Sequence, residues 1–173
     1  MTRKYFLLLL VVAFVLITFI KANQVDEVTL VKPYPMINFN LPDLTGKQVN
    51  SHDWADKIII INFWATWCPP CRKEIPELIK IQNQFGSQGV QIIGITIDKL
   101  GLTKKFSEAF KINYPVLMAE EKGMALSLKY GNHIGGLPYS VVINKGKVVI
   151  QHSGELTYSA MAPHIRTLLR TKK

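Results

Sequence analysis

The chain has 173 residues, 48% of them hydrophobic, which is enough for one domain of ordinary size with its own core plus a short extension. Lysine and arginine outnumber aspartate and glutamate by 21 to 12, so the formal net charge is +9. The basic residues are scattered and form no stripe with interleaved aromatic residues, which argues against a nucleic-acid partner.

The first 21 residues differ from the rest of the chain. Arg3 and Lys4 precede an apolar run over residues 5–20, and Lys21 ends it. A basic flank before an apolar stretch is typical of a secretory signal or an N-terminal membrane anchor. The run is short beside the about 20 residues of a typical membrane span, but the lysine that follows it makes a poor cleavage site. We therefore expect residues 1–21 to be an uncleaved membrane helix, with the remainder outside the cytoplasm because basic flanks stay inside.

A polar segment follows the expected membrane helix. It contains Pro33 and Pro35 among amide and acidic side chains. We interpret residues 22–35 as a linker that leads away from the membrane. The remaining residues, 36–173, then form a single domain.

The domain alternates predicted strands with predicted helices. Two nearly continuous β-branched runs, 58–64 and 90–97, are typical of strands covered on both faces, as in a parallel sheet. This alternation, ending in a hairpin, predicts an α/β fold with a mixed sheet. In chain order the other predicted elements are strands at 37–41 and 47–50, a helix ending near Gly86 with a kink at Pro76, a helix at 102–110, a strand at 114–118, a helix at 123–130, a hairpin of 140–143 with 147–151, and a helix at 161–169.

Cys68 and Cys71 are the only two cysteines, and they lie in the stretch FWATWCPPCRKEIP at a predicted strand-to-helix junction. One cysteine pair and four widely spaced histidines do not supply the usual four ligands of a structural zinc site, so we expect no metal. A disulfide across so short a loop removes little entropy from the unfolded chain, so a purely structural role is a weak explanation. A helix N-terminus lowers the pKa of a thiol. The pattern favours a redox pair, with Cys68 as the exposed nucleophile and Cys71 as the resolving thiol.

Neighbouring residues bear on the direction of this redox chemistry. Pro69 and Pro70 have no N–H with which to stabilise a thiolate, and a weakly stabilised thiolate favours a reductant. Glu74 follows Cys71 by three residues and so lies on the same side of the helix. If it is buried, its pKa rises and it can accept a proton from the resolving thiol. The alternative is an ordinary solvated glutamate.

The run NFWATWCPPCRKEIP resembles the active-site segment of thioredoxin-like proteins, and most closely that of the TlpA/ResA/CcmG group of membrane-anchored bacterial thiol–disulfide oxidoreductases. The similarity extends over about residues 35–170. It implies a thioredoxin-like α/β fold, in which helices flank a central mixed sheet and extra strands precede the common core.

The resemblance also implies roles for individual residues. Cys68 matches the attacking thiol of the group and Cys71 the resolving thiol, while Glu74 matches the acidic residue that tunes both. Pro138 matches the cis-proline beside the disulfide. Leu137, just before it, would offer backbone groups to a substrate.

Four further residues bear on the site and its substrate. By resemblance Trp67 would shield the nucleophile, although it is equally an ordinary aromatic residue at a strand end. Asn62 stands where thioredoxins carry a buried aspartate and cannot relay a proton, so that task would fall to Glu74. His133 and Ile134 depart from the Y-G-V-x-G-x-P pattern of the group and leave the substrate preference open.

The sequence thus predicts a thiol–disulfide oxidoreductase on the outer side of the bacterial inner membrane, held there by one helix. Its expected substrates are disulfide-bearing exported proteins, with apocytochrome c before haem attachment as the leading candidate by resemblance. No metal or organic cofactor is expected. Because the chain has no G-x-G-x-x-G fingerprint, the electrons would come from a membrane thiol donor. The alternatives are a thiol oxidase or disulfide isomerase, a non-catalytic module that binds partners beside Pro138, and, less favoured, a thiol peroxidase.

Overall fold

The computed structural model describes residues 28–171. The membrane helix expected over residues 1–21 and the first part of the expected linker, residues 22–27, lie outside the described residues. Among the described helices, none has both the length and the apolar character that a membrane span requires.

The described chain forms eight strands and four α-helices, together with short 3-10 turns. In chain order they are β1 (Thr29–Pro35), β2 (Asn40–Pro42), β3 (Gln48–Asn50), β4 (Ile58–Trp64), α1 (Pro69–Phe85), β5 (Val90–Thr96), α2 (Leu100–Phe110), β6 (Val116–Met118), α3 (Glu121–Lys129), β7 (Tyr139–Asn144), β8 (Lys147–Ser153) and α4 (Tyr158–Arg170).

Six of these strands form one mixed sheet in the order β1-β8-β7-β4-β5-β6, and β2 pairs with β3 in a separate small sheet. The pairs β4–β5 and β5–β6 are parallel, whereas β4–β7, β7–β8 and β1–β8 are antiparallel. The expected α/β fold with a central mixed sheet is therefore confirmed. Its parallel half places the carboxyl ends of β4, β5 and β6 at a single edge.

The two faces of the sheet bury two apolar clusters. Side chains alternate along β4, so Ile58, Ile60 and Trp64 enter one cluster, and the intervening Ile59 and Ile61 enter the other. The first cluster also contains the buried faces of α1 and α4, and α2 packs against it. This explains the long β-branched runs of β4 and β5, because each of these strands is buried along its whole length.

Residues 29–35 correct the expected linker, because they form strand β1 at the outer edge of the sheet, paired with β8. The linker was predicted because this segment contains Pro33 and Pro35. A proline is excluded from a central strand but is tolerated on an edge strand, where some N–H groups face away from the sheet. The hydroxyl of Tyr34 also ties β1 to the interior, since it donates to the carbonyl of Tyr130 at 2.9 Å.

Candidate active site

The two cysteines lie at the junction between β4 and α1. Cys68 is the N-cap of α1, and Pro69 and Pro70 occupy the first helical positions, where an N–H would have no partner within the helix. Cys68 and Cys71 are joined by a disulfide, with 5.3 Å between their Cα atoms. The backbone N–H of Cys71 donates to Cys68 Sγ at 3.3 Å. The sulfur of Cys68 therefore faces the positive end of the α1 dipole.

The disulfide is less exposed than the sequence indicated. Cys68 exposes only 3% of its surface and Cys71 none, so the prediction of an openly exposed nucleophile is wrong. The reason is packing, because both residues belong to the apolar cluster that also holds Trp64 and Ala65. Cys68 is nevertheless the one residue of the pair with any exposed surface.

Trp67 directly precedes Cys68 and exposes 64% of its surface to solvent. An ordinary aromatic residue at a strand end packs into the core, as Trp64 does with no exposed surface. So large an exposed apolar area next to a reactive group is typical of a contact surface for another molecule. Trp67 is thus an exposed apolar residue next to Cys68 in the chain, and its role as a shield of the nucleophile stays a prediction.

Glu74 is fully buried one turn after Cys71 in α1, on the apolar side of the helix. Its Oε1 accepts a hydrogen bond from Asn62 Nδ2 at 2.7 Å, and its Oε2 accepts one from the N–H of Leu156 at 3.0 Å. Burial raises the pKa of Glu74 to about 8, with a small further contribution from Glu155, while the two hydrogen bonds lower it. The carboxyl group therefore stays largely protonated at neutral pH and titrates near pH 8.

A polar row crosses the apolar face of the sheet beneath Glu74. Asn62 on β4 pairs with Ser140 on β7, which pairs in turn with His152 on β8. Asn62 Nδ2 donates to Ser140 Oγ at 3.0 Å as well as to Glu74. Asn62 Oδ1 is buried without a hydrogen-bond partner among the described residues. Asn62 thus holds the carboxyl group in place, and its Oδ1 remains an unused hydrogen-bond acceptor.

The cis peptide bond lies between Leu137 and Pro138, as the resemblance implied. Pro138 directly precedes β7, whose first residue, Tyr139, pairs with Phe63 near the end of β4. Pro138 and the disulfide therefore lie at the same edge of the sheet. Leu137 is half-buried against the cluster that contains both cysteines, and its backbone N–H and C=O have no hydrogen-bond partner among residues 28–171. Free backbone groups of this kind can pair with an extended segment of another chain.

The loop between β8 and α4, residues 154–157, joins the carboxyl group to the cis-proline. The N–H of Gly154 donates to the carbonyl of Pro138 at 2.9 Å, and the N–H of Leu156 donates to Glu74. His152 Nε2 lies 3.1 Å from the carbonyl oxygen of Glu155. Sequence reasoning missed this loop, since a contact through backbone N–H groups leaves no trace in the residue types. The polar Ser140 and His152 within apolar strands were the one available signal.

Metal binding has little support within the described residues. No group of three or more histidine, cysteine, aspartate or glutamate side chains among residues 28–171 is placed to hold a metal ion.

Comparison with known proteins gives a consistent result. Residues 34–153 match the AhpC/TSA family. The thiol-disulfide oxidoreductase ResA of Bacillus anthracis is 35% identical over 133 residues, which cover 76% of this chain and 75% of that protein. ResA of Bacillus subtilis strain 168 is 30% identical, with 76% of this chain and 72% of that protein covered.

Solved structures agree with these sequence relatives. A thiol:disulfide interchange protein of the thioredoxin family from Chlorobium tepidum has a TM-score of 0.72 and 31% identity, and the match covers 82% of this chain and 99% of that one. The predicted thioredoxin-like fold and the resemblance to the ResA group are thereby confirmed. The chain belongs to the AhpC/TSA family and, within it, to the ResA-like thiol–disulfide oxidoreductases.

Proposed function

We propose that the protein reduces disulfide bonds in partner proteins, with Cys68 as nucleophile, Cys71 as resolving thiol and Glu74 as their acid–base group. One observation carries this proposal. The disulfide caps the N-terminus of α1 with only Cys68 at the surface, and a buried carboxyl group lies one turn behind it.

The exchange proceeds in two steps. In the dithiol form the thiolate of Cys68 attacks the partner disulfide, which forms a Cys68–partner bond and releases one partner thiolate. Cys71 then loses its proton and attacks Cys68 Sγ, which restores the Cys68–Cys71 disulfide and releases the second partner sulfur. Two electrons pass to the partner, and a thiol donor must return two to the protein before the next cycle.

Glu74 suits the proton transfer that the second step requires. An ordinary cysteine thiol has a pKa of about 8.5, and the pKa of Glu74 is about 8. Proton transfer between groups of similar pKa is nearly thermoneutral in either direction. The carboxylate can therefore accept the proton of Cys71 and pass it to the departing partner sulfur.

The two prolines after Cys68 favour reduction over oxidation. Pro69 and Pro70 supply no N–H to the sulfur, which leaves the N–H of Cys71 as the nearby backbone donor, at 3.3 Å. Couples with a strongly stabilised thiolate are oxidising, whereas those with a weakly stabilised thiolate are reducing. This supports a reductase rather than a thiol oxidase or disulfide isomerase.

The location and the substrate belong to the same proposal. The basic-flanked apolar run over residues 1–21 supports a single anchor in the inner membrane, with the domain on the extracytoplasmic side. Disulfide-bearing exported proteins are then the substrates, apocytochrome c is the leading candidate, and a membrane thiol protein is the electron donor. The membership in the ResA-like group supports this assignment.

Trapping tests the proposal directly. A Cys71→Ser variant should accumulate mixed disulfides with its partners through Cys68, whereas a Cys68→Ser variant should trap none. The reduced wild-type protein should reduce a disulfide-bonded apocytochrome c peptide in stoichiometric amounts. A measured reduction potential of about −120 mV, typical of strongly oxidising members of the fold, would favour an oxidase. Full biological activity of both serine variants would indicate a non-catalytic binding module.

A further inference from the structure

Exposed apolar side chains concentrate at the edge of the sheet that carries the disulfide. Besides Trp67, Ile134 exposes 92% of its surface, Leu102 54% and Leu100 39%. Leu100 and Leu102 follow β5, which is parallel to β4 and therefore ends at the same edge as the strand that leads to Cys68. Ile134 lies in the loop that leads into β7, which starts at this edge because it is antiparallel to β4.

The beginning of α2 lies against the beginning of α1. The N–H of Ile97 donates to the carbonyl of Trp64 at 3.2 Å, and the N–H of Thr66 donates to Asp98 Oδ2 at 3.1 Å. Further into the helices, the guanidinium group of Arg72 lies 5.9 Å from the ring centre of Phe106. We call residues 99–105 the α2 flank, and these contacts place it beside the disulfide.

The exposed charge of this region is predominantly positive. Three carboxylates occur between residues 65 and 107, and each is engaged: Glu74 is buried, Asp98 is buried and bonded to Thr66, and Glu77 accepts from the N–H of Tyr158 at 2.8 Å. The exposed charged side chains over the same range are all cationic, namely Arg72, Lys73, Lys80, Lys99, Lys104 and Lys105. The nearest exposed carboxylate is that of Glu108, one turn after Lys104 in α2 and followed by Lys111, and the exposed Glu120 and Glu121 lie beyond β6.

We propose that the α2 flank, together with Trp67, docks an acidic segment of the partner protein beside the partner's disulfide. The apolar side chains of Trp67, Leu100 and Leu102 cover the apolar residues of that segment, and the lysines of the flank attract its carboxylates. The preferred substrates therefore carry aspartate or glutamate close to their reactive cysteines. This inference rests on the proposed function and names its substrate class.

A partner protein fits this surface better than a membrane does. Anionic lipid would also be attracted by lysines beside exposed leucines. The same surface, however, adjoins Cys68, the proposed nucleophile, which a partner disulfide must reach for the reaction to occur. A bilayer lying on the α2 flank would block that approach. The observations therefore favour an acidic polypeptide segment.

The test compares two peptides that share one disulfide ring and differ only in flanking residues, glutamate in one and lysine in the other. At low salt the reduced wild-type protein should show a second-order rate constant for reduction of the acidic peptide about tenfold above that for the basic one, since electrostatic steering acts on association. Salt should shrink this ratio. The double variant Lys104→Glu/Lys105→Glu should abolish or invert it. Reduction of the neutral 2-hydroxyethyl disulfide should be unchanged.

A matched variant supplies the control. Lys32→Glu/Lys147→Glu makes the same charge change with two exposed lysines, one on the outer strand β1 and one at the opposite edge, where β8 begins. It should retain the wild-type preference. Equal wild-type rates for both peptides, or the same loss in both double variants, would overturn the inference. So would loss of binding to phosphatidylglycerol vesicles in Lys104→Glu/Lys105→Glu while the peptide preference persists. If wild-type protein reduces neither peptide, the proposed function fails as well.

Discussion

Glu74 carries a completely buried carboxyl group, so its contribution to the stability of the folded state depends on pH. Its folded-state pKa of about 8 lies well above the ordinary value of 4.5, so the folded state binds the proton more tightly than the unfolded state does. The stability that protonation supplies is fully present below pH 4.5 and is lost as pH rises toward 8. A single proton of this kind changes the free energy of unfolding by up to about 1.4 kcal/mol per pH unit.

A Glu74→Gln variant should remove this dependence. The neutral amide needs no proton, so the stability of wild type minus that of the variant should fall as pH rises from about 5 to 8. Asn62 can turn its unpartnered Oδ1 toward the new N–H₂ group, which limits the structural cost of the change. Urea unfolding of the oxidised proteins over this pH range measures the difference. A difference that stays constant with pH would show that Glu74 ionises normally in the folded protein.

Trp67 should matter for partners and little for folding. Replacement of an exposed side chain usually changes stability by less than about 0.5 kcal/mol, whereas an aromatic contact residue often contributes more than about 1 kcal/mol to binding. Trp67→Ala should therefore unfold like wild type yet reduce protein disulfides several-fold more slowly, with little change toward 2-hydroxyethyl disulfide. Leu128→Ala, another exposed apolar residue, is the control and should leave both rates unaltered. A slower rate toward both kinds of substrate would place the effect of Trp67 in the chemistry instead.

At the scale of elements, the loop over residues 154–157 links parts of the site that α1 and β7 contribute separately. Its N–H groups reach Pro138 and Glu74, and Tyr158 at the start of α4 donates to Glu77. A change in the charge of Glu74 alters the strength of its bond to Leu156. The protonation of Glu74 is therefore coupled to the segment that holds the cis-proline.

His152 positions this loop, because its Nε2–H donates to the carbonyl of Glu155, next to Leu156. His152→Phe should destabilise the protein by about 1–3 kcal/mol, since it leaves a carbonyl without its donor. It should also raise the pKa of Glu74 further, because the hydrogen bond from Leu156 lowers that pKa.

The stability-versus-pH curve measures the effect of His152→Phe on Glu74, and His152→Gln provides the rescue. The glutamine amide can donate in place of Nε2–H, so this variant should keep the wild-type curve more nearly than His152→Phe does. A His152→Phe protein with lower stability and an unmoved pH dependence would show that the histidine only fills space.

At the scale of the whole molecule, redox state and stability form a thermodynamic cycle. Where the dithiol form of a fold is the more stable, the couple is oxidising, and where the disulfide form is the more stable, it is reducing. The proposed reductase should therefore unfold at a lower urea concentration after treatment with a phosphine reductant than in its oxidised state. Each difference of about 1.4 kcal/mol corresponds to about 30 mV in the two-electron potential. Greater stability of the reduced protein would contradict the assignment as a reductant.

The elements of the fold were largely predictable, because each depends on local composition. The β-branched runs became β4 and β5, and the Asn144–Gly146 turn joined β7 to β8. Errors arose where distant partners decide the outcome. Residues 29–35 form a strand only because β8 offers them an edge, and Cys68 is nearly buried only because the core cluster closes around it.

The site was predictable in its sulfur chemistry and less so in its surroundings. The C-P-P-C segment at a strand-to-helix junction indicates a redox pair, since both cysteines and the helix dipole are local features. The partners of Glu74 come from far along the chain, 12 residues away for Asn62 and 82 for Leu156. The pattern of apolar and polar residues along the sequence does not indicate which backbone N–H will donate to a given carboxylate.

By itself the sequence determined the types of element and the reaction that two neighbouring thiols can perform, because periodicity, propensity and the spacing of the cysteines act over a few residues. Only the tertiary structure decided what surrounds those thiols. Folding removed water from Glu74 and so raised its pKa, and it placed the lysines and leucines of residues 99–105 at the same edge of the sheet as the disulfide. Desolvation and the summed field of several charges are properties of the assembled fold, since they depend on distances through space rather than along the chain.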